Sequence, residues 1–122
     1  FEFQVNASTS VVERYTDSGK LLGHVYMGAA FVEKLLKRAI PDDAVLRMEI
    51  LHIMLSHHGE YEFGSPKQPQ TMDALIVSMV DNLDANLDAV HIGLTGEMDE
   101  NWTKTIYSLQ RAFYRTQGPH EE

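Results

Sequence analysis

The 122-residue sequence predicts an all-α fold, a bundle of about four main helices joined by short loops. Three observations predict it. Apolar residues recur at helical spacing through most of the chain. Caps and breakers punctuate those stretches at Thr16-Asp17-Ser18, Pro41 and Gly59. No internal repeat, low-complexity tract or long linker divides the chain, so its length reads as one domain.

Taken in order, residues 1–16 carry β-branched and aromatic residues without a helical period and read as an irregular lead-in. Thr16-Asp17-Ser18 then offers an N-cap. From there to Ala39 the apolar side follows Leu21, Val25, Gly28, Val32, Leu35 and Leu36. Pro41 ends that helix, and Asp42 and Asp43 suit the first turn of the next, where the helix dipole favours acids. The second helix is expected over about 41–58, with stripes Ala44, Met48, Leu51, Leu55 and Leu46, Ile50, Ile53 giving a broad apolar face. Gly59 stops it. Gly64, Pro66 and Pro69 make 59–69 a loop. A third helix is expected over about 70–90, apolar nearly all round, with Asp81, Asp84 and Asp88 on one side. After a loop over 93–100, a fourth helix is expected over about 101–115, its inner face Trp102, Ile106, Leu109 and Phe113. Residues 116–122 read as a frayed tail.

Composition bounds the function. Hydrophobic residues at 43% and charged residues at 23% are the balance of a globular chain rather than a disordered one. Ten Lys and Arg against 18 Asp and Glu give a net charge of −8, unlike a protein that grips phosphate backbones with clustered cations. A nucleic-acid enzyme that meets phosphate through metal ions remains compatible with that charge. The absence of cysteine excludes disulfides and Cys-based zinc sites. No apolar run approaches the ~20 residues of a membrane span, and the N-terminus lacks a signal-peptide pattern. The expected compartment is the cytoplasm. Two glycosylation-type triplets, Asn6-Ala7-Ser8 and Asn101-Trp102-Thr103, read as chance matches in that setting.

Six histidines carry the chemical argument. Ser56-His57-His58-Gly59-Glu60 puts two adjacent imidazoles at the end of an apolar helix. A lone histidine there reads as a hydrogen-bonded core residue. Two in a row each need a polar partner when buried, and a metal ion supplies one. His24, one turn before Gly28, reads either as a packed histidine or as a further ligand. Asp81 lies among apolar helical neighbours, where a carboxylate is costly unless paired or bound to a cation. Asp88 reads as part of a solvated face, His52 as structural, His91 as a helix-end residue and His120 as part of the tail. Inward His and Asp side chains from different helices build metal sites in bundles, and this mixture suits Mn, Fe, Ni, Co or Zn rather than Ca.

The run His57-His58-Gly59-Glu60, then Glu62-Phe63-Gly64-Ser65-Pro66, then Val80-Asp81-Asn82-Leu83-Asp84-Ala85 resembles the HD-domain metal-dependent phosphohydrolases, and within them the YhaM-type 3′-to-5′ exoribonuclease branch. Tyr15 to His24 and Trp102 to Arg115 extend the resemblance over nearly the whole chain. It implies a divalent metal, Mn first with Co, Ni, Fe, Zn or Mg as alternatives. His24, His57, His58 and Asp81 would be the ligands, with Glu60 catalytic and Ser65 near the substrate phosphate. A bound metal would polarise a phosphoryl oxygen and acidify a water.

The family's early His and His-Asp dyad are absent, and Phe1 falls just after the point where the dyad should end. The expectation is therefore a partial HD domain, cut after its dyad and inactive alone. Single-stranded RNA or another nucleic acid would be the substrate of the whole protein, whose upstream RNA-binding domain would also be missing. Self-association would cover apolar surface left bare. The alternatives are an HD phosphohydrolase of nucleotides or other phosphate esters, and a non-catalytic helical interaction module.

Overall fold

The computed structural model describes residues 2–5 and 12–116. Among them are three helices, α1 (Asp17–Ala39), α2 (Ala44–Ser56) and α3 (Met72–Thr95), and four short strands, β1 (Phe3–Val5), β2 (Val12–Tyr15), β3 (Met98–Asp99) and β4 (Trp102–Thr103). The chain forms two compact units, 1–79 and 80–122. No described helix is long and apolar enough to cross a membrane.

The first unit opens with an antiparallel hairpin of β1 and β2 where the sequence suggested irregular chain. Cross-strand pairs hold it. Phe3 stacks on Tyr15 with ring centroids 4.5 Å apart, and Arg14 Nε donates to Gln4 Oε1 at 2.8 Å. Aromatic and β-branched residues without a helical period are themselves a strand signal, and reading them as irregular missed it. The hairpin hands over to α1 through Thr16. As expected of an N-cap, its hydroxyl accepts from Gly19 N at 2.9 Å. Its own amide donates to the Glu2 carbonyl at 2.9 Å.

Helix α1 has the expected span but is interrupted at Gly23, which has φ 71° and ψ 162°. That region belongs to glycine almost alone. His24 therefore begins a fresh helical segment. Asp43 caps α2 from outside rather than lying in its first turn, its Oδ1 accepting from Leu46 N at 2.8 Å. Arg47 ties the start of α2 to the end of α1 by donating to Ile40 O at 2.7 Å. The two helices pack together at Gly28, where an added Cβ would lie 3.2 Å from Met54 Cε.

In the second unit the expected fourth helix over 101–115 does not form, so three helices replace the expected four. β3 and β4 pair instead, around a turn at Glu100 (φ 54°). Trp102 then bridges Tyr114, and Ile106 bridges Arg111 across a single 3-10 turn at Tyr107–Leu109. Trp102, Ile106, Leu109 and Phe113 do fit a helical period. The stretch also carries Thr103, Thr105 and Ile106, whose branched side chains favour extended chain. Buried Thr103 decides between them. Its amide donates to Phe113 O at 2.9 Å and its hydroxyl accepts from Phe113 N at 3.0 Å. The tail from 117 onward, and His120 with it, lies outside the described residues.

Two expectations follow. Gly23→Ala should cost on the order of 1–3 kcal/mol in chemical unfolding. Nothing lies within 4 Å of the added Cβ, so the cost is conformational alone. An unchanged midpoint would show that the kink is not held in solution. Among the described residues only Ala29 and Ala74 are buried apolar ones, while Leu21, Met48, Met72 and Met79 are each more than 60% exposed. Such surface predicts concentration-dependent self-association by light scattering. A monomer at every concentration would contradict it.

Candidate metal centre

Three imidazoles meet in the first unit. His24 starts the second segment of α1, His57 caps α2 and His58 follows it. One nitrogen from each lies within 4.8 Å of the other two. The rings of His57 and His58 are 4.3 Å apart and those of His24 and His58 4.9 Å. His24 Nε2 sits 3.0 Å from His58 Nε2.

The surroundings of each ring define which nitrogen is free. His57 Nδ1 lies 2.8 Å from Met54 O. His58 Nδ1 lies 3.1 Å from Phe63 O. A carbonyl only accepts, so both Nδ1 atoms carry the proton and both Nε2 atoms of the neutral rings present lone pairs. His24 Nδ1 faces a carboxylate oxygen of Glu2 at 3.5 Å. Two ring nitrogens 3.0 Å apart need a proton or a cation between them. Three imidazoles, each anchored through its far nitrogen, make a donor set that fits a divalent transition metal.

The loop after α2 explains how His58 is held. Its carbonyl partner belongs to the 3-10 turn Tyr61–Phe63. Ser65 clamps that turn. It is 4% exposed, and its hydroxyl reaches Leu55 O at 3.2 Å and Lys67 O at 2.6 Å. The hydroxyl expected near the substrate phosphate is engaged here with those two carbonyls, in the loop that carries the partner of His58. Gly59, with φ 81°, makes the sharp exit after His58 that glycine alone allows cheaply. Glu60 is exposed and accepts from Gln68 Nε2.

The acidic side chains read differently. Asp81, Asp84 and Asp88 lie on α3 in the second unit and are all exposed. The burial cost that marked Asp81 out does not arise, because water solvates it. His52 accepts from Gln70 N at 2.9 Å, the structural role expected of it. His91 is not at a helix end, since α3 continues to Thr95. Sequence reasoning passed over Glu2 and Gly23. For Gly23 the signal was available, a glycine directly before the histidine inside an apolar period.

The HD-domain family profile matches residues 5–86. The chain belongs to the HD-domain family. It is 34% identical over 113 residues to a protein of Geobacillus sp. (strain WCH70) named 3′-5′ exoribonuclease YhaM, covering 91% of this chain and 34% of that protein. It is likewise 34% identical over 110 residues to the YhaM of Bacillus subtilis (strain 168), covering 88% and 34%. The chain thus spans about a third of the length of these curated relatives. No solved structure matches it.

A cation at the histidine cluster should stabilise this HD chain. At 100 times the dissociation constant, Mn²⁺ or Co²⁺ should add about 2.7 kcal/mol to unfolding, read as a rise in midpoint that His57→Ala abolishes. Equal midpoints with and without metal would rule out binding there.

Proposed function

We propose that the chain is part of the catalytic domain of a metal-dependent phosphodiester hydrolase that degrades single-stranded RNA from the 3′ end. The observation that carries this is the convergence of His24, His57 and His58 in a chain of the HD family. The printed name of the YhaM relatives supports the reaction and the substrate.

In this reading the Nε2 atoms of the three histidines hold a divalent cation, Mn²⁺ first. A bound cation supplies Lewis acidity toward a phosphoryl oxygen and an acidified water. The chain's own groups do the rest. Met54 O, Phe63 O and the Ser65-clamped loop keep His57 and His58 in the ligating tautomer and orientation. We assign Glu60 to proton transfer near the substrate, an exposed carboxylate restrained by Gln68. By the family pattern the late acidic ligand falls on Asp81, and its substitution tests that carry-over by itself. The metal also accounts for how a chain of charge −8 would meet an anionic substrate.

The test is Mn²⁺-dependent release of mononucleotides from the 3′ end of single-stranded RNA by the whole protein, including any His-Asp segment upstream of Phe1. His57→Ala and Asp81→Ala are expected to lose at least tenfold in rate, the lower bound of losses typical of metal-site disruption. Metal bound without RNA cleavage would overturn the nuclease assignment, and hydrolysis of free nucleotides alone would move the substrate to that class.

A further inference from the structure

We propose that Glu2 is a positioning residue of this site: its carboxylate accepts the Nδ1–H of His24 and so presents Nε2 to the cation. The inference rests on the cluster being a metal site, and adds to it the group that completes it. Two of the three imidazoles are fixed by backbone carbonyls close to them in sequence, Met54 O and Phe63 O. Among the described residues, no backbone carbonyl is hydrogen-bonded to a His24 ring nitrogen. The group facing its Nδ1 is the Glu2 carboxylate, 3.5 Å away, from a residue 22 positions earlier on another element.

Glu2 is held there by the fold. Its carbonyl accepts from Thr16 N at 2.9 Å and from Thr16 Oγ1 at 3.2 Å. Gly19 lies so close that any Cβ at that position would overlap the Glu2 carbonyl oxygen. The N-cap of α1 therefore also fastens the residue that faces α1's histidine. The Glu2 side chain is only 16% exposed, against 51% for His24. A carboxylate so far withdrawn from water needs a partner, and among the described residues its partner is His24. Beside the pair opens a cavity of about 340 Å³ lined by Glu2, His24, Met27, Gly28 and Phe31, which leaves the ring room to turn. Orientation of the ring falls to the carboxylate. A carboxylate behind a ligating imidazole fixes the tautomer and raises the ligand's basicity, and its loss commonly costs 10–100-fold in metal affinity.

Two measurements test this. The first is ¹⁵N NMR of the metal-free chain, which reads the tautomer of each histidine. His24 should be in the Nδ1–H form, Glu2→Leu should shift it to a mixture, and Glu2→Gln, which keeps an acceptor oxygen, should retain it. His57 and His58 should be unmoved in both. The second is Co²⁺ titration followed by absorption. Glu2→Leu should weaken binding about 10–100-fold, and Glu2→Gln should recover part of the loss. An unmoved His24 tautomer together with wild-type Co²⁺ affinity in Glu2→Leu would overturn the proposal. Should Glu2→Leu fail to fold, Glu2→Asp, which retracts the carboxylate by one methylene, takes its place with the same two readouts. Failure of the unsubstituted chain to bind Co²⁺ would instead overturn the metal reading, while the tautomer comparison still decides what Glu2 does.

Discussion

Three imidazole rings brought edge to edge create an electrostatic problem that the rest of the first unit is arranged around. With the Nδ1 protons of His57 and His58 committed to carbonyls, their Nε2 atoms present lone pairs, and that of His58 lies 3.0 Å from His24 Nε2. Neutral rings left to themselves would rotate so that one nitrogen donates to the other. Here the outward acceptors oppose that rotation, and they come from three different places: the last turn of α2, the 3-10 turn beyond it, and the start of the chain. The arrangement needs a proton or a cation in the middle, which is what makes the cluster a candidate metal centre.

Local chain geometry follows from the same requirement. Gly23 breaks α1 one residue before His24, and Gly59 turns the chain one residue after His58. Both glycines carry positive φ, and both flank a ligand candidate. At these two points the backbone takes conformations that other residues avoid, next to the helix segments that deliver the imidazoles. Ser65 belongs to this scheme too. By reaching Leu55 O it sews the loop back onto α2, and so sets the height of Phe63 O over His58. The Phe-Gly-Ser run that resembles the family's loop thus carries both the carbonyl facing His58 and the hydroxyl that holds the loop to α2.

Much of this was legible in the sequence because it is local. Helices α1, α2 and α3 announce themselves by apolar period, and Thr16, Pro41 and Gly59 by their chemistry. His57 and His58 stood out because adjacent imidazoles on an apolar helix need explaining. What escaped was either ambiguous or non-local. Trp102 to Phe113 satisfies a helical period and an extended alternation at once, and only pairing with residues ten positions away settles it in favour of strands. Asp81 seemed buried because its sequence neighbours are apolar, yet apolar neighbours on one helix do not cover it. Glu2 and His24 are separated by a hairpin that no periodicity predicts.

That last separation sets the balance of the site. His57 and His58 lean on backbone carbonyls, which move only if the helix end or the turn moves. His24 leans on a side chain at 3.5 Å and is half exposed, so it is the least constrained of the three. A cation drawn into the cluster gains most by ordering His24, and with it the Glu2 carboxylate and the hairpin that carries it. The β1–β2 pair, Thr16 and Gly19 are therefore not a peripheral lead-in to the helices. Through one carbonyl held by Thr16 and crowded by Gly19, they fix where the Glu2 carboxylate stands against His24.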